Sequence, residues 1–151
     1  MANIERKENK VRIRHMEPED IDNVLAIDRK ISGVRRAVTY TDLITGDLGG
    51  VLDLSFVAEV DGQVAGFILA RRVYVGEPVT EVGLIQILGV DPDYWHQGIA
   101  TKLVNALLDN CQEKKLNAVR IMINERDSQL QPFFARMGFR RGQLIDYTKT
   151  L

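Results

Sequence analysis

The chain has 151 residues, of which 45% are hydrophobic and 27% charged, and its formal net charge is −1 at pH 7. This composition excludes disordered and fibrous proteins, and the length predicts one domain over residues 1–151. The balanced charge argues against nucleic-acid binding, because proteins that neutralise many phosphates normally carry a clear basic surplus.

Residues 1–15 are charged and contain no apolar region of the length that a secretory signal needs. No run of residues approaches the roughly 18 apolar residues of a membrane span. Cys111 is the only cysteine, which rules out an internal disulfide and a cysteine-built zinc site. We therefore expect a cytoplasmic protein without a metal and without a membrane partner.

The first third of the chain predicts a strand and a helix, followed by a segment with weak patterning. Residues 11–15 alternate apolar and polar side chains, as a half-buried strand does. Glu17-Pro18-Glu19-Asp20 then predicts a helix start, because proline suits the first helical position and acidic groups suit the positive end of the dipole. Residues 29–53 are expected to form a helix-and-loop insert, with a short helix at 40–44.

The rest of the chain predicts a strand-rich segment and then alternating helices and strands. Asp61-Gly62 separates two runs of β-formers and is a strong hairpin signal. Apolar residues at four-residue spacing predict the next helix and place Cys111 on its buried face. The expected elements are strands 55–60, 64–75 and 80–90, helix 99–112, strand 117–123, helix 128–137 ended by Gly138, and a closing strand or hairpin 139–151.

This order of elements predicts an α/β (α+β) fold. Three consecutive strands can form an antiparallel meander, whereas the later β-α-β unit has to return in parallel. The result is a mixed, mostly antiparallel sheet with helices on both faces.

The most informative segment joins an apolar strand to a helix through a polar turn, over residues 88–103. Gly98 can adopt a positive φ, and together with Ala100 it lets a ligand approach the main chain. A helix start of this kind points several N–H groups at one place and suits a pyrophosphate. Neither the NTPase phosphate loop nor the dinucleotide fingerprint is present. An ordinary strand-to-helix turn remains the alternative on local chemistry alone.

The segment Trp95-His96-Gln97-Gly98-Ile99-Ala100 resembles motif A of the GNAT superfamily of acyltransferases, [Gln/Arg]-x-x-Gly-x-[Gly/Ala]. A second stretch, residues 121–139, resembles the family's next strand, its Asn-containing turn and its helix of the pattern Leu/Phe-Tyr-x-x-x-Gly-Phe. The two motifs stand at the expected separation. The resemblance also covers the first strand and helix and the hairpin, and it omits residues 29–53 and the last dozen.

The resemblance implies acetyl-CoA as the acyl-donating cosubstrate, held where the fourth and fifth strands splay apart. It implies that the pantetheine arm pairs with backbone groups of Leu88 and Val90. The pyrophosphate is then expected to rest on the amides of residues 96–101. The implied cofactor-binding residues are Leu88, Gly89, Val90, Trp95, His96, Gln97, Gly98, Ile99, Ala100, Thr101, Asp127, Phe133 and Phe134.

Three residues depart from the family's pattern. Trp95 stands where Gln or Arg is usual, and Asp127 stands where Asn is usual. Phe134 stands where many relatives carry a Tyr near the sulfur, often proposed to protonate the leaving thiolate. A phenyl ring cannot donate a proton, so that role is vacant or belongs to another residue.

The catalytic candidates are Gln86, Glu81 and Tyr147. Gln86 shares strand parity with Leu84 and Leu88, the side expected to face the acyl group, and its amide could position water. Glu81 has the chemistry of a base but the opposite parity, unless a bulge intervenes. Tyr147 is a replacement acid by chemistry, as are Tyr40 and Tyr74. A backbone N–H near Leu88 is the expected oxyanion donor.

The predicted function is N-acetyl transfer from acetyl-CoA to a primary amine by direct attack in a ternary complex. The acceptor could be a protein N-terminus, a lysine or a small amine. Two alternatives stay open: an acyl-CoA-binding sensor or regulatory domain without turnover, and a relative that has lost the cofactor. An exposed edge strand also leaves a homodimer possible.

Overall fold

A computed structural model describes residues 10–32 and 52–151. The short helix expected at residues 40–44 lies outside the described residues. Two short 3-10 turns, Pro18–Asp20 and Pro92–Tyr94, precede the first and second α-helices. The elements are β1 Val11–His15, α1 Ile21–Ser32, β2 Phe56–Val60, β3 Gln63–Val75, β4 Thr80–Val90, α2 Ile99–Glu113, β5 Val119–Ile121 and α3 Leu130–Arg136.

The five strands form one sheet in the order β1-β2-β3-β4-β5. The first four strands pair antiparallel, and β5 pairs in parallel with β4, which confirms the predicted mixed, mostly antiparallel sheet. The β2–β3 turn is the expected hairpin: Asp61 has φ 52° and Gly62 has φ 81°. Two consecutive positive φ values suit a tight turn that follows the strand twist.

Helices cover both faces of the sheet, as predicted. On one face, α1 packs Val24 and Leu25 against Phe67 and Ile87. On the other face, α2 packs its expected four-residue stripe, including Leu107 and Cys111, against the sheet. The chain therefore has two apolar layers, one on each side of the central strands.

Two glycines let α2 lie close to the sheet. A Cβ on Gly66 would lie 3.1 Å from Cγ2 of Ile99, at the start of α2, and a Cβ on Gly83 would lie 3.0 Å from Sγ of Cys111 near its end. Both distances are shorter than ordinary van der Waals contact. Each of strands β3 and β4 therefore has a glycine where side chains of α2 pack directly against the backbone.

A β-bulge at Gln86 changes the parity of β4. Leu69 pairs with Ile87 and Ala70 pairs with Ile85, so the register shifts here and Gln86 is an extra residue of β4. Ile85 lies in the α2-side cluster, whereas Ile87 lies in the α1-side cluster and Leu88 returns to the α2 side. The expectation that Leu84 and Leu88 share a face was wrong, because the extra residue inverts the alternation.

The closing strand or hairpin expected over residues 139–151 was also wrong. Residues 140–151 form neither helix nor strand and are exposed. Their β-formers predict a strand only where a neighbouring strand can pair with them, and β5 is three residues long. The strand expected at 117–123 and the helix expected at 128–137 are likewise shorter than the pattern indicated.

In the part of the chain that the structure describes, no helix combines the length and the apolar character needed to cross a membrane.

Candidate functional site

The second half of β4 has a free side within the described residues. Pairing between β4 and β5 covers Gly83–Ile85 against Val119–Ile121 and stops there, while β4 continues to Val90. The N–H of Asp91 donates to the carbonyl of Ala65 at 2.8 Å. Because backbone groups alternate along a strand, those of Val90 and Leu88 point away from β3. The two expected pantetheine-pairing residues therefore face the open side.

The turn after β4 contains two residues in the left-handed region. His96 has φ 65° and Gly98 has φ 74°. Among the described residues, a Cβ on Gly98 would meet no atom within 4 Å, so packing against them does not account for the glycine. The positive φ and the open space outside Gly98 account for the glycine instead. This is the arrangement expected where the main chain approaches a ligand closely.

Helix α2 begins directly after Gly98. The first bond along the helix runs from the N–H of Lys102 to the carbonyl of Gly98, at 3.1 Å. The N–H groups of Ile99, Ala100 and Thr101 therefore have no acceptor inside the helix and lie at its positive end. Ile99 is buried beside Gly66, which fixes the helix start above the sheet. An anion such as a pyrophosphate is the group that these donors suit.

An ion-pair bridge ties α1 to this turn. Nζ of Lys30 lies 2.8 Å from Oδ1 of Asp91 and 2.7 Å from Oδ2 of Asp93. These contacts raise the pKa of Lys30. Burial acts to raise the pKa of Asp91, whereas the hydrogen bond from Lys30 acts to lower it, and the net result is a lowered pKa of that carboxyl. Sequence reasoning missed Lys30, because it stands 61 positions before Asp91 and no local pattern links the two.

Of the remaining cofactor candidates, four have contacts of their own within the protein. Oδ1 of Asp127 accepts from the N–H groups of Gln129 and Leu130, at 3.0 and 2.9 Å, and so caps α3. Phe134 is only 2% exposed and packs edge-on against Phe133. Gly89 is covered by a neighbouring ring.

The packing at Gly89 is tight on the α1 side. A Cβ there would lie 2.7 Å from Cε1 of Phe67, which is also its partner in β3. By the same alternation that turns Val90 outward, the N–H of Gly89 points toward β3. The glycine is therefore explained by close packing between the strand and Phe67.

The catalytic candidates lie in three different places. Gln86 is the bulge residue, two positions before Leu88. Glu81 lies near the other end of β4, with Oε1 3.5 Å from a guanidinium nitrogen of Arg72. It stands seven positions before Leu88 along the strand, a span of about 23 Å. Tyr147 is 90% exposed in the C-terminal segment without secondary structure.

The structure thus brings together Leu88, Val90 and the turn 95–101, with Gln86 beside them on β4. It places Glu81 near the opposite end of β4 from that group. Among the described residues, no group of three or more His, Cys, Asp or Glu side chains is arranged to hold a metal ion.

Comparison with known proteins identifies the family to which this arrangement belongs. The sequence model of the Acetyltransferase (GNAT) family matches residues 24–139. An uncharacterised N-acetyltransferase of Methanocaldococcus jannaschii is 26% identical over 91 residues, which are 60% of this chain and 40% of that protein. The chain therefore spans less than half the length of this curated relative.

Solved structures share the fold. The aminoglycoside acetyltransferase AAC(6')-Iy, in complex with a bisubstrate analogue of CoA, superposes with a TM-score of 0.77 at 20% identity, covering 94% of this chain and 99% of that one. A ribosomal-protein-alanine N-acetyltransferase from Brucella melitensis gives a TM-score of 0.73 at 15% identity, with coverages of 94% and 99%. The family match extends from the first helix to the end of the α3 motif, and it includes the open half of β4 and the turn before α2. The chain belongs to the acetyltransferase (GNAT) family.

Proposed function

We propose that this protein transfers an acetyl group from acetyl-CoA to a primary amine. The observation that carries the proposal is the continuity of two features: the unpaired half of β4 runs directly into the turn with Gly98 and the first turn of α2. The first feature suits an extended ligand with amide groups, and the second suits a pyrophosphate. CoA carries both kinds of group in one molecule.

The residues present fit such a donor. Leu88 and Val90 offer outward-facing backbone groups to the pantetheine arm. Gly98 leaves open space beside the N–H groups of Ile99, Ala100 and Thr101, where a Cβ would meet no atom of residues 10–32 or 52–151 within 4 Å. The donor supplies an activated thioester. We assign its binding to these main-chain groups, which explains why Trp95 can replace the usual Gln or Arg.

The transfer needs a neutral amine, a donor for the charge that develops on the acyl oxygen, and a thiol leaving group. A lysine-like amine has a pKa near 10.4, so a base or a water must take its proton at neutral pH. We propose that Gln86, at the bulge, positions such a water. We assign the acyl-oxygen donor to the outward-facing N–H of Leu88.

The leaving group needs less help. A thiol has a pKa near 8.5, so a thiolate leaves readily without a dedicated acid. This agrees with Phe134, a buried phenyl ring at the position of the family's usual Tyr. We therefore expect catalysis without a replacement for that tyrosine.

The same residue favours a second candidate function, an acyl-CoA-binding sensor without turnover. A domain that only binds acetyl-CoA needs the open side of β4 at Leu88–Val90, here called the β4 groove, and the free N–H groups at the start of α2. It needs no acid at position 134. One solved structure of similar fold, at 14% identity and a TM-score of 0.73, is described as a transcriptional regulator from Bacillus halodurans. Turnover separates the two functions.

The test combines a binding assay and a turnover assay. A ligand at about 100 times its Kd adds about 2.7 kcal/mol to the stability of the folded state, so acetyl-CoA should raise the melting temperature. Acetyl donors without the nucleotide serve as the control and should do much less. An unchanged melting temperature at millimolar acetyl-CoA contradicts the proposal.

Turnover is then measured as release of free thiol across a panel of amines. The panel contains an aminoglycoside, a peptide with an N-terminal alanine, a lysine-containing peptide and small diamines, because relatives of this fold act on the first two classes. Thiol release with any acceptor supports the acetyltransferase. Binding without release from any member supports the sensor.

A further inference from the structure

The indole of Trp95 holds a backbone carbonyl at the mouth of the β4 groove. Nε1 of Trp95 donates to the carbonyl oxygen of Val90 at 2.7 Å, a good hydrogen-bond length. The side chain is otherwise half in solvent, with 51% of its surface exposed. The position of the ring is therefore better explained by this hydrogen bond than by burial.

The carbonyl of Val90 is one that we assign to the pantetheine arm of acetyl-CoA. Val90 points away from β3, since the neighbouring Asp91 N–H is the group that pairs with Ala65. Strand β5 does not reach this position, because its pairing with β4 ends at Ile85. The open side of Val90 is thus the place where an extended ligand would pair, and the indole nitrogen stands within it.

An amide of the pantetheine arm that pairs with Val90 would place its nitrogen about 2.9 Å from the carbonyl oxygen. The indole nitrogen already occupies a donor position at that distance. The indole stands on the same open side of Val90 that the arm would use, and it takes one of the two lone pairs of this oxygen. The arm and the ring consequently compete for one carbonyl.

We infer that Trp95 closes the pantetheine end of the groove in the free protein and is displaced from Val90 when CoA binds. This rests on the proposed function and deepens it, since it makes Trp95 a residue that sets affinity for the arm of the donor and not for its nucleotide. The competing reading is that the indole bond braces the turn 91–98 and stays formed with ligand bound.

The first experiment compares wild type with Trp95→Phe, which keeps an aromatic ring and removes the donor. Calorimetric titrations use CoA and 3′-phospho-ADP, the nucleotide half of CoA without the arm. The variant should bind CoA about fivefold more tightly, equivalent to about 1 kcal/mol, and should bind 3′-phospho-ADP as wild type does. Equal or weaker CoA binding by the folded variant overturns the inference.

The second experiment needs no variant. Trp95 is the only tryptophan of the chain, so its fluorescence reports on this one side chain. Saturating CoA should shift the emission, because the indole N–H exchanges a carbonyl for water, whereas saturating 3′-phospho-ADP should not. An unchanged spectrum with CoA overturns the inference even if Trp95→Phe does not fold.

Different results would contradict the acetyltransferase function and the displacement of Trp95 from Val90. If both proteins bind CoA equally and the emission does not move, Trp95 is a brace and the acetyltransferase proposal stands. If neither protein binds CoA, both proposals fall.

Discussion

Gly98 offers the sharpest test of the donor site, because the structure supplies a matched control. Both Gly98 and Gly62 adopt a positive φ, 74° and 81°, and at neither position would a Cβ meet an atom of the part of the chain that the structure describes within 4 Å. Alanine therefore carries the same kind of cost at both, the left-handed backbone alone, which is about 1 kcal/mol. Only Gly98 lies at the proposed pyrophosphate turn; Gly62 lies in the β2–β3 hairpin.

We expect Gly98→Ala and Gly62→Ala to lose about the same stability. A loss of about 1 kcal/mol lowers the melting temperature of a chain of this length by about 2–4 °C. Their affinities should differ. The added methyl of Gly98→Ala would lie at the turn to which we assign the phosphates, so CoA should bind at least about tenfold more weakly, equivalent to about 1.4 kcal/mol.

The measurements are urea unfolding for stability and calorimetric titration with CoA for affinity, on both variants. Gly98→Val extends the series with a larger, β-branched side chain and should weaken binding further. Wild-type affinity in folded Gly98→Ala, or an equal loss in Gly62→Ala, would refute the assignment of this turn to the pyrophosphate.

Three further predictions concern packing and charge. Gly89→Ala should lose about 1–3 kcal/mol in urea unfolding, because the new Cβ would lie 2.7 Å from Cε1 of Phe67; a loss below about 0.5 kcal/mol contradicts the packing role. Burial raises the pKa of the Cys111 thiol, so the folded protein should react slowly with thiol reagents and Cys111→Ala should retain turnover; rapid modification in native buffer would show the opposite. The hydrogen bond from Arg14 lowers the pKa of Asp20, so its stabilisation is present above about pH 4 and is lost as pH falls through the lower folded value. Asp20→Asn should therefore cost about 2 kcal/mol at pH 7 and much less at pH 2.5, and a pH-independent cost would contradict this assignment.

The elements that sequence predicts best are those with a local cause. Alternation predicts β1 at Val11–His15, and the strand expected at 80–90 has the bounds of β4, Thr80–Val90. Asp61-Gly62 predicts the hairpin because the turn type needs two left-handed residues in succession. The four-residue stripe of α2 predicts which face of that helix is buried.

What the sequence misses depends on contacts between distant residues. The bulge at Gln86 is visible only in the register between β3 and β4, and no residue of β4 alone predicts it. The Lys30 bridge joins residues far apart in sequence. Residues 139–151 contain good strand formers, yet a strand also needs a neighbour to pair with, and that information is not local.

The candidate site also has some features that the local sequence predicts and others that depend on contacts between distant residues. The main-chain donors around Gly98 follow from a short motif, because a glycine and a helix start are local features. The roles of Glu81 and Gln86 depended on strand parity, which one extra residue inverts. The parity argument therefore fails at the bulge, and the catalytic roles of both residues stay predictions.

The open half of β4 also implies an uneven pattern of amide hydrogen exchange along a single strand. The N–H of Gly89 points into the sheet toward Phe67, whereas those of Leu88 and Val90 point outward, beyond the last residue that β5 covers. Exchange should therefore alternate from slow to fast between adjacent residues in the free protein. A ligand that lies along this edge becomes, in effect, an additional strand, and would convert the alternating pattern into uniform protection.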